Sequence, residues 1–435
     1  MPTVALALAL SALALFAGAG QATVLSPARA AATAPLDGVN AEGLGYRSTP
    51  ANADHTIALA VALHAKILRI ELPWSVLEPK AANHLDPSAL AYTDRLMADA
   101  SEHSIGIIMM IDDTPCWASS APAKLRRKCF IGQHNLANQW APSKPANYAS
   151  LVGFLAKRYG NSITALEVWN EPDQANERYF AGPHKPQRYA ALLKGAYTAV
   201  KQADPNISVL AGSLVGANGT FLRLLYKAGI KGFYDGLAIH FYTLTLASVR
   251  AFRAVQVANG DTTPLWLDEF GWTDCYPRHK IQEEQACVTP AVQALNITNL
   301  YSALGAASYV AAVTAYELQD EGGESFGVIT TRGVRKPAFS ALANVMSSPI
   351  SSERPVTLSL RSGGGHVVAS GSAPVGDFMR MEAFHGSTLR YRAVFTLDRF
   401  NRFRLSLPGV LGSHGLRIRV YQFWTGPSGA VEKSV

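Results

Sequence analysis

Eight times between Gly43 and Leu318 a short run of apolar residues is followed or preceded by a stretch with helical periodicity. The runs are Gly43–Tyr46, Ile67–Leu72, Ile105–Ile111, Ala165–Trp169, Ile207–Ala211, Gly236–Phe241, Leu265–Glu269 and Ala311–Leu318. The helical patterns between them cover Thr56–Lys66, Leu90–Glu102, Tyr148–Tyr159, Tyr189–Gln202, Phe221–Lys227, Ala247–Val257 and Thr289–Leu304. A strand that is apolar on both sides must be covered on both sides, and a helix after each strand provides the crossover that a parallel neighbour needs. Eight such units close into a (β/α)8 TIM barrel. An open doubly wound sheet is the alternative, but the Gly-x-Gly-x-x-Gly turn expected after its first strand is absent.

The chain then changes character. Val356–Leu360, His366–Ala369, Phe378–Phe384, Leu389–Leu397, Phe403–Leu407 and Leu416–Phe423 are short, several of them alternate polar and apolar residues, and Gly, Ser and Pro separate them. This pattern predicts a small C-terminal antiparallel β-sandwich domain. The fold class is therefore α/β, with residues 35–347 forming the barrel, a linker near Met346–Pro355 and residues 355–435 the β domain. Charge follows the same division. The net charge of the 435-residue chain is +7, and Arg354–Val435 alone holds 11 basic and 4 acidic residues, leaving the remainder balanced. A basic domain of this kind fits an anionic glycan or a cell surface, or is only a solvated face. No basic run interleaved with aromatics and no nucleic-acid motif occurs, so nucleic acid is not expected as a partner.

The first 34 residues read as an export signal and linker. Val4–Ala19 is an unbroken apolar and small stretch, too short for a comfortable membrane span and ending in small residues. No Lys or Arg precedes it, which leaves a membrane anchor over residues 4–19 as the alternative to a cleaved signal. A secreted or periplasmic, monomeric protein with no membrane span in its mature form is expected. Its four cysteines fall into local pairs, Cys116 with Cys129 and Cys275 with Cys287, without zinc-type spacing. In an oxidising compartment these form two disulfides; otherwise they are four free thiols.

Catalytic groups of a barrel stand at the C-terminal ends of its strands. Two carboxylates fit that position: Glu171 in Glu167-Val168-Trp169-Asn170-Glu171-Pro172 after the fourth strand, and Glu269 in Trp266-Leu267-Asp268-Glu269-Phe270-Gly271-Trp272 on the seventh. Paired carboxyl groups across one mouth are the apparatus of glycoside hydrolysis, one protonating the leaving oxygen and the other attacking the anomeric carbon or activating water. Their environments must differ, so that one is protonated while the other is ionised. Alternation along the strands sends Glu167 and Asp268 away from their neighbours' face, to structural roles. Trp74, Trp117, Trp272, Tyr179 and Tyr276 follow barrel strands and are candidates for stacking on sugar rings or for packing the loops.

The Asn-Glu-Pro at strand four, the Glu-Phe-Gly-Trp at strand seven and His240-Phe241-Tyr242 between them resemble clan A of the glycoside hydrolases, retaining barrel enzymes, over about residues 40–345. Within the clan the chain is most similar to the family 39 and family 5 groups, and the trailing β domain favours family 39. The resemblance implies Glu171 as general acid/base and Glu269 as nucleophile. It implies Asn170 at the sugar 2-hydroxyl, Arg69 beneath the nucleophile, Tyr242 donating to it and His240 lining the subsite. Trp272 and Trp117 are carried as further substrate contacts. At strand eight the clan has a Trp platform where this chain reads Ala315-Tyr316-Glu317-Leu318, so Tyr316 is the candidate substitute. Glu317 and Asp320 are candidates for contact with sugar hydroxyls. The substrate class is an oligo- or polysaccharide, with no cofactor or metal. A non-catalytic carbohydrate-binding barrel, a transglycosylase on the same fold, and a metal-dependent barrel hydrolase are the rival readings. The last of these would need a His/Asp cluster at the strand ends.

Overall fold

A computed structural model of the chain describes residues 35–41, 49–130, 136–175, 179–216, 218–242, 247–275, 287–304, 309–321, 323–347, 356–364, 366–373, 379–395, 397, 402–411, 414–422 and 430–435. The expected export signal, the segment Gly43–Tyr46, Tyr276 and most of the interdomain linker lie outside the described residues. Among the described residues no helix is long and apolar enough to cross a membrane.

Eight parallel strands close a barrel in sequence order: β1 (Leu36–Asn40), β2 (Ile67–Glu71), β3 (Gly106–Ile111), β4 (Ile163–Val168), β5 (Ser208–Leu214), β6 (Gly236–Phe241), β7 (Leu265–Phe270) and β8 (Val310–Ala315), with β1 pairing β8. Seven of the strands fall where the apolar runs predict them. The first does not: the strand that closes the barrel is Leu36–Asn40, not Gly43–Tyr46. Its sequence Leu-Asp-Gly-Val-Asn is a weak strand signal, with Gly38 at its centre. A Cβ at Gly38 would lie 2.0 Å from the Ile67 carbonyl oxygen, so close packing against β2 demands glycine there.

Four helices begin about a turn or more ahead of the apolar periodicity, at Pro50, Pro87, Pro145 and Lys185. Each carries Pro in its first turn, where the missing N–H costs nothing, and Thr49 and Asp86 cap two of them through their side chains. Periodicity marks the buried turns of a helix, whereas an opening turn that faces solvent is marked by its cap.

The outward sides of the strands pack on the helices, with Val39, Leu68, Met109, Leu166, Ile239 and Val313 in that core. Ile67, Ile108, Ala165, Leu210, Ala238, Trp266 and Ala312 fill the interior of the barrel as a second, smaller cluster. Two residues further along their strands, Arg69, Glu167, His240 and Asp268 follow Ile67, Ala165, Ala238 and Trp266. A strand's period of two thus puts a charged layer directly above an apolar one.

The C-terminal residues form two antiparallel sheets, as the alternating pattern predicts. Strands β9 (Ser359–Gly363), β10 (His366–Ser372) and β13 (Arg402–Ser406) lie in the order β13-β10-β9. Strands β11 (Met379–His385), β12 (Thr388–Phe395), β14 (Leu416–Gln422) and β15 (Val431–Ser434) lie in the order β12-β11-β14-β15. Inward-facing Val367, Ala369, Phe403, Met379, Met381, Ile418 and Val420 make one shared core, which defines a β-sandwich.

Candidate active site

The site is built around one buried cation. Arg69 is 0% exposed. Its Nε and Nη2 donate to the two oxygens of Glu167 at 2.7 and 3.1 Å, and its Nη1 donates to Glu269 Oε1 at 2.6 Å. Nη1 also reaches Asn40 Oδ1 at 3.0 Å and Nη2 reaches Asn170 Oδ1 at 3.1 Å. Asp268 Oδ2 lies 3.6 Å from Nε. Burial opposes charge on the guanidinium, but Glu167, Glu269 and Asp268 outweigh it and hold Arg69 protonated. With Ser213 Oγ of β5 accepting from Nη2 at 3.5 Å, five strands meet at this side chain, its own included, so its fork fixes them relative to one another as well as neutralising the carboxylates.

Glu167 and Asp268 therefore do not turn away from the site. Both are fully buried and both face Arg69. Strand β7 carries one extra residue here: Ile239 pairs with Leu267 while His240 pairs with Glu269, and Leu267 pairs with Val313 while Phe270 pairs with Ala315. A bulge breaks strict alternation, and Asp268 and Glu269 both reach Arg69. At β4 the chain leaves the strand through left-handed conformations, φ 74° at Trp169 and 41° at Glu171. That turn swings Glu171 over the mouth while Glu167 stays within the barrel, and strained non-glycine backbone of this kind clusters at functional sites.

Glu171 and Glu269 face each other across His240. The imidazole Nδ1 is 2.8 Å from Glu171 Oε1 and 3.2 Å from Glu269 Oε2. One oxygen of each carboxylate and a ring nitrogen of His240 all lie within 4.8 Å of one another. Tyr242 donates its hydroxyl to Glu269 Oε2 at 2.5 Å, and Gln174 Nε2 donates to Glu171 Oε2 at 2.7 Å. Burial pushes the Glu171 carboxyl toward neutrality, but the His240 and Gln174 hydrogen bonds and the Arg69 charge prevail, holding it below the usual carboxylate range. Asp268 goes the other way: burial first, then the neighbouring Glu167, push it well above that range despite Arg69. Carboxyl groups crowded around one guanidinium compete for its charge, and burial makes Asp268 the one most favoured in its neutral form. A second set, Glu167, His240 and Asp268, is equally close. Acid groups this near one another could hold a metal ion, but Arg69 already supplies a cation to Glu167 and Glu269.

No protein-family model matches the sequence, and no curated protein sequence matches it. Solved structures do match. A family 39 glycoside hydrolase from Bacteroides cellulosilyticus WH2 aligns over 86% of this chain and 81% of its own, at 16% identity and a TM-score of 0.56. The GH39 enzyme from Xanthomonas axonopodis pv. citri aligns over 87% and 93%, at 15% identity and 0.54. A GH39 β-xylosidase from Caulobacter crescentus aligns over 81% and 84%, at 19% identity and 0.54. The chain shares its fold with family 39 glycoside hydrolases.

On this fold the candidate residues separate into two groups. Arg69, Asn170, Glu171, His240, Tyr242 and Glu269 come together, and Tyr316 joins them by an edge contact with Tyr242, ring centroids 5.8 Å apart. Trp74 and Trp272 do not present open stacking faces. Trp272 is 2% exposed and packs on Phe270, and Trp74 is 0% exposed. Their rings follow strands but turn into the core, where their apolar area is better buried. Trp117 is half-buried, its Nε1 donating to the Glu78 carbonyl at 2.7 Å, and Tyr179 is half-buried, its carbonyl accepting from Trp169 Nε1. Asp320 is tied to Lys336 at 2.6 Å in an ion pair, and Glu317 is buried.

Cys116 is bonded to Cys129, S–S 2.00 Å, and Cys275 to Cys287. These bridges follow β3 and β7, at the same ends of the strands as the site. The sequence reading missed Asn40, which holds both the Arg69 guanidinium and the Asp268 carbonyl, and Gln174, which holds Glu171. Asn40 was hidden because its strand carries so little apolar signal. Gln174 stands three residues after Glu171, in the turn that any reading of Asn-Glu-Pro singles out.

Proposed function

We propose that the chain is a secreted, retaining glycoside hydrolase that cleaves β-glycosidic bonds of an oligo- or polysaccharide by double displacement. The observation that carries this reading is the approach of Glu171 and Glu269, one oxygen of each within 4.8 Å of the other. Retaining enzymes hold their carboxyl groups about 5–5.5 Å apart, whereas inverting ones leave about 6.5–9.5 Å for a water. The Caulobacter crescentus neighbour is a β-xylosidase, in keeping with β-glycoside chemistry. Two disulfides fit an oxidising compartment.

In the first step Glu269 attacks the anomeric carbon, the bond to the leaving oxygen breaks, and Glu171 gives that oxygen its proton. In the second, Glu171 takes a proton from water, the water oxygen attacks the anomeric carbon, and the ester to Glu269 breaks. Arg69 and the Tyr242 hydroxyl keep Glu269 anionic and aimed, and Asn170, held by Arg69, is positioned for the sugar 2-hydroxyl. The decisive experiment is proton NMR of the first-formed product from a β-aryl glycoside. A β-anomer released before mutarotation is expected. An α-anomer would overturn the retaining mechanism, and no turnover of any glycoside would overturn the hydrolase reading.

The depressed Glu171 pKa has a kinetic consequence. The acid form needed for the first step is lost as pH rises through that lowered value, so the basic limb of kcat/KM falls early and the optimum is acidic. His240→Phe keeps a ring in place but removes the donor that favours the Glu171 anion. Its basic limb is expected to move to higher pH, read from kcat/KM profiles of both proteins. A limb that stays put would mean that His240 does not set the Glu171 proton.

A further inference from the structure

Tyr242 is placed by its neighbours rather than by its strand. It lies just beyond β6, which ends at Phe241, yet its hydroxyl donates to Glu269 Oε2. Its ring packs edge-on against Tyr316, centroids 5.8 Å apart, and against Phe326, 5.5 Å apart. Tyr316 and Phe326 meet in the same way at 5.4 Å, so the three rings form a closed set. Edge-to-face pairs favour a narrow range of geometries, and each ring in such a set restricts the other two. The end of β7 presses against them. A Cβ at Gly271 would lie 2.3 Å from the Tyr316 carbonyl oxygen and 3.1 Å from Phe326 Cδ1.

Phe326 belongs to the loop after β8 and is buried. That loop is held from two sides. Gln293, on the helix Pro290–Leu304, is fully buried, and its Nε2 donates to the Phe326 carbonyl at 3.0 Å and to the Trp272 carbonyl at 2.9 Å. One amide thus ties the loop to the chain leaving β7, the strand of Glu269. Lys336, also buried, donates to the Ser325 carbonyl at 3.3 Å while bonding Asp274 and Asp320.

We propose that Phe326, anchored by Gln293, is a positioning residue: its ring holds the Tyr242 hydroxyl on Glu269 and so keeps that carboxylate ionised and aimed at the anomeric carbon. A hydrogen bond to the ionised form of a carboxyl lowers its pKa, so slackening that bond raises it. The other titratable or charged groups around Glu269 are Arg69 from β2, His240 from β6, Glu171 after β4, and Asp268, which shares Arg69 with it. Phe326 carries no charge of its own, so a shift in the Glu269 titration on changing it reports the Tyr242 bond. Precise aim matters because a misplacement of about 1 Å at a reacting group can cost about a hundredfold in rate. The role of Glu269 as nucleophile rests on the proposed hydrolase activity; the packing of Phe326 on Tyr242 does not.

The test is a double-mutant cycle on the full chain with Phe326→Ala, Tyr242→Phe and their combination. Gln293→Met is added because it keeps the bulk of the side chain and removes the donor. Two quantities are read: the pH profile of kcat/KM on a β-aryl glycoside, and the carbon-13 NMR titration of the Glu269 carboxyl, assigned by its absence from Glu269→Gln. Phe326→Ala is expected to lose about tenfold in kcat with KM little changed, and to move the acidic limb and the Glu269 midpoint up by about half a unit or more. Gln293→Met should do the same more weakly, and Phe326→Leu, which refills most of the space, should recover part of the loss. In the Tyr242→Phe background Phe326→Ala should add little, because the hydroxyl it positions is already gone. A lower melting temperature is expected of Phe326→Ala as for any emptied core position. If it does not fold, the Leu and Met variants decide the matter by the same midpoint. An unmoved Glu269 midpoint, or effects that multiply with that of Tyr242→Phe, would overturn the proposal. A wild type inactive on every glycoside, with the midpoint still moving in the variants, would sink the hydrolase reading and leave this one standing.

Discussion

Glu269→Gly is expected to lose about 10⁴-fold or more in kcat on a β-aryl glycoside, because no other group near the anomeric carbon can form the covalent intermediate. Tyr242 and Arg69 would remain, each aimed at an absent carboxylate. Added azide can occupy that space, and its attack on the anomeric carbon expels the activated aryloxide directly. The product should be the α-glycosyl azide, inverted relative to the substrate. Glu171→Ala is the contrasting case. With a good leaving group its first step needs no acid, so the Glu269 ester forms and azide displaces it from the opposite face, giving the β-azide. Opposite anomers from the two variants, identified by NMR, would assign both roles in one experiment. A Glu269→Gly protein with undiminished activity, or one yielding the β-azide, would remove Glu269 from the mechanism.

Arg69→Met is expected to cost about 3–5 kcal/mol of stability, the range for breaking a buried ion pair by removing one partner. Glu167 would lose the two hydrogen bonds that Arg69 donates to it, Glu269 its 2.6 Å bond from Nη1, and Asp268 its nearby cation. Unfolding in urea should show the loss. The sign of its pH dependence follows from the charges left behind: with no cation, burial favours the protonated carboxyls, so the variant should weaken further as pH rises. Adding Glu167→Gln to Arg69→Met should recover part of the stability by removing one orphaned charge, without restoring activity, since Glu269 would still lack its cation. A cost below about 1 kcal/mol would mean that the carboxylates are solvated rather than held by the guanidinium.

These two residues also mark how far sequence reasoning reaches. Glu269 was legible because Glu-Phe-Gly-Trp ends an apolar run, and a carboxylate at that place in a barrel has few structural uses. Arg69 was legible as a charge within Ile-Leu-Arg-Ile-Glu, although its partners on four other strands were not. Glu167 and Asp268 were misread because the alternation was counted from Glu171 and Glu269. Period two carries Glu167 and Asp268 inward above Ala165 and Trp266, and it is Glu269, at the extra residue in β7, and Glu171, after the left-handed turn, that leave the regular pattern. That Trp74 and Trp272 turn into the core was not legible for a related reason: position along a strand says where a side chain starts, not whether its ring turns to the mouth or to the core.

By itself the sequence determined the architecture, because periodicity is local. Runs apolar on both faces, alternating with amphipathic stretches, leave a parallel barrel as the economical way to bury them, and period-two alternation after Val356 leaves an antiparallel sandwich. It also determined which two carboxylates end strands. Tertiary structure alone decided the state of those carboxylates. Protonation depends on distances of a few ångströms between groups up to 228 residues apart, as between Asn40 and the Asp268 carbonyl. It depends too on a strand, Leu36–Asn40, whose own residues barely announce it. Burial, a bulge and a shared histidine set those distances, and all three exist only once the barrel has closed.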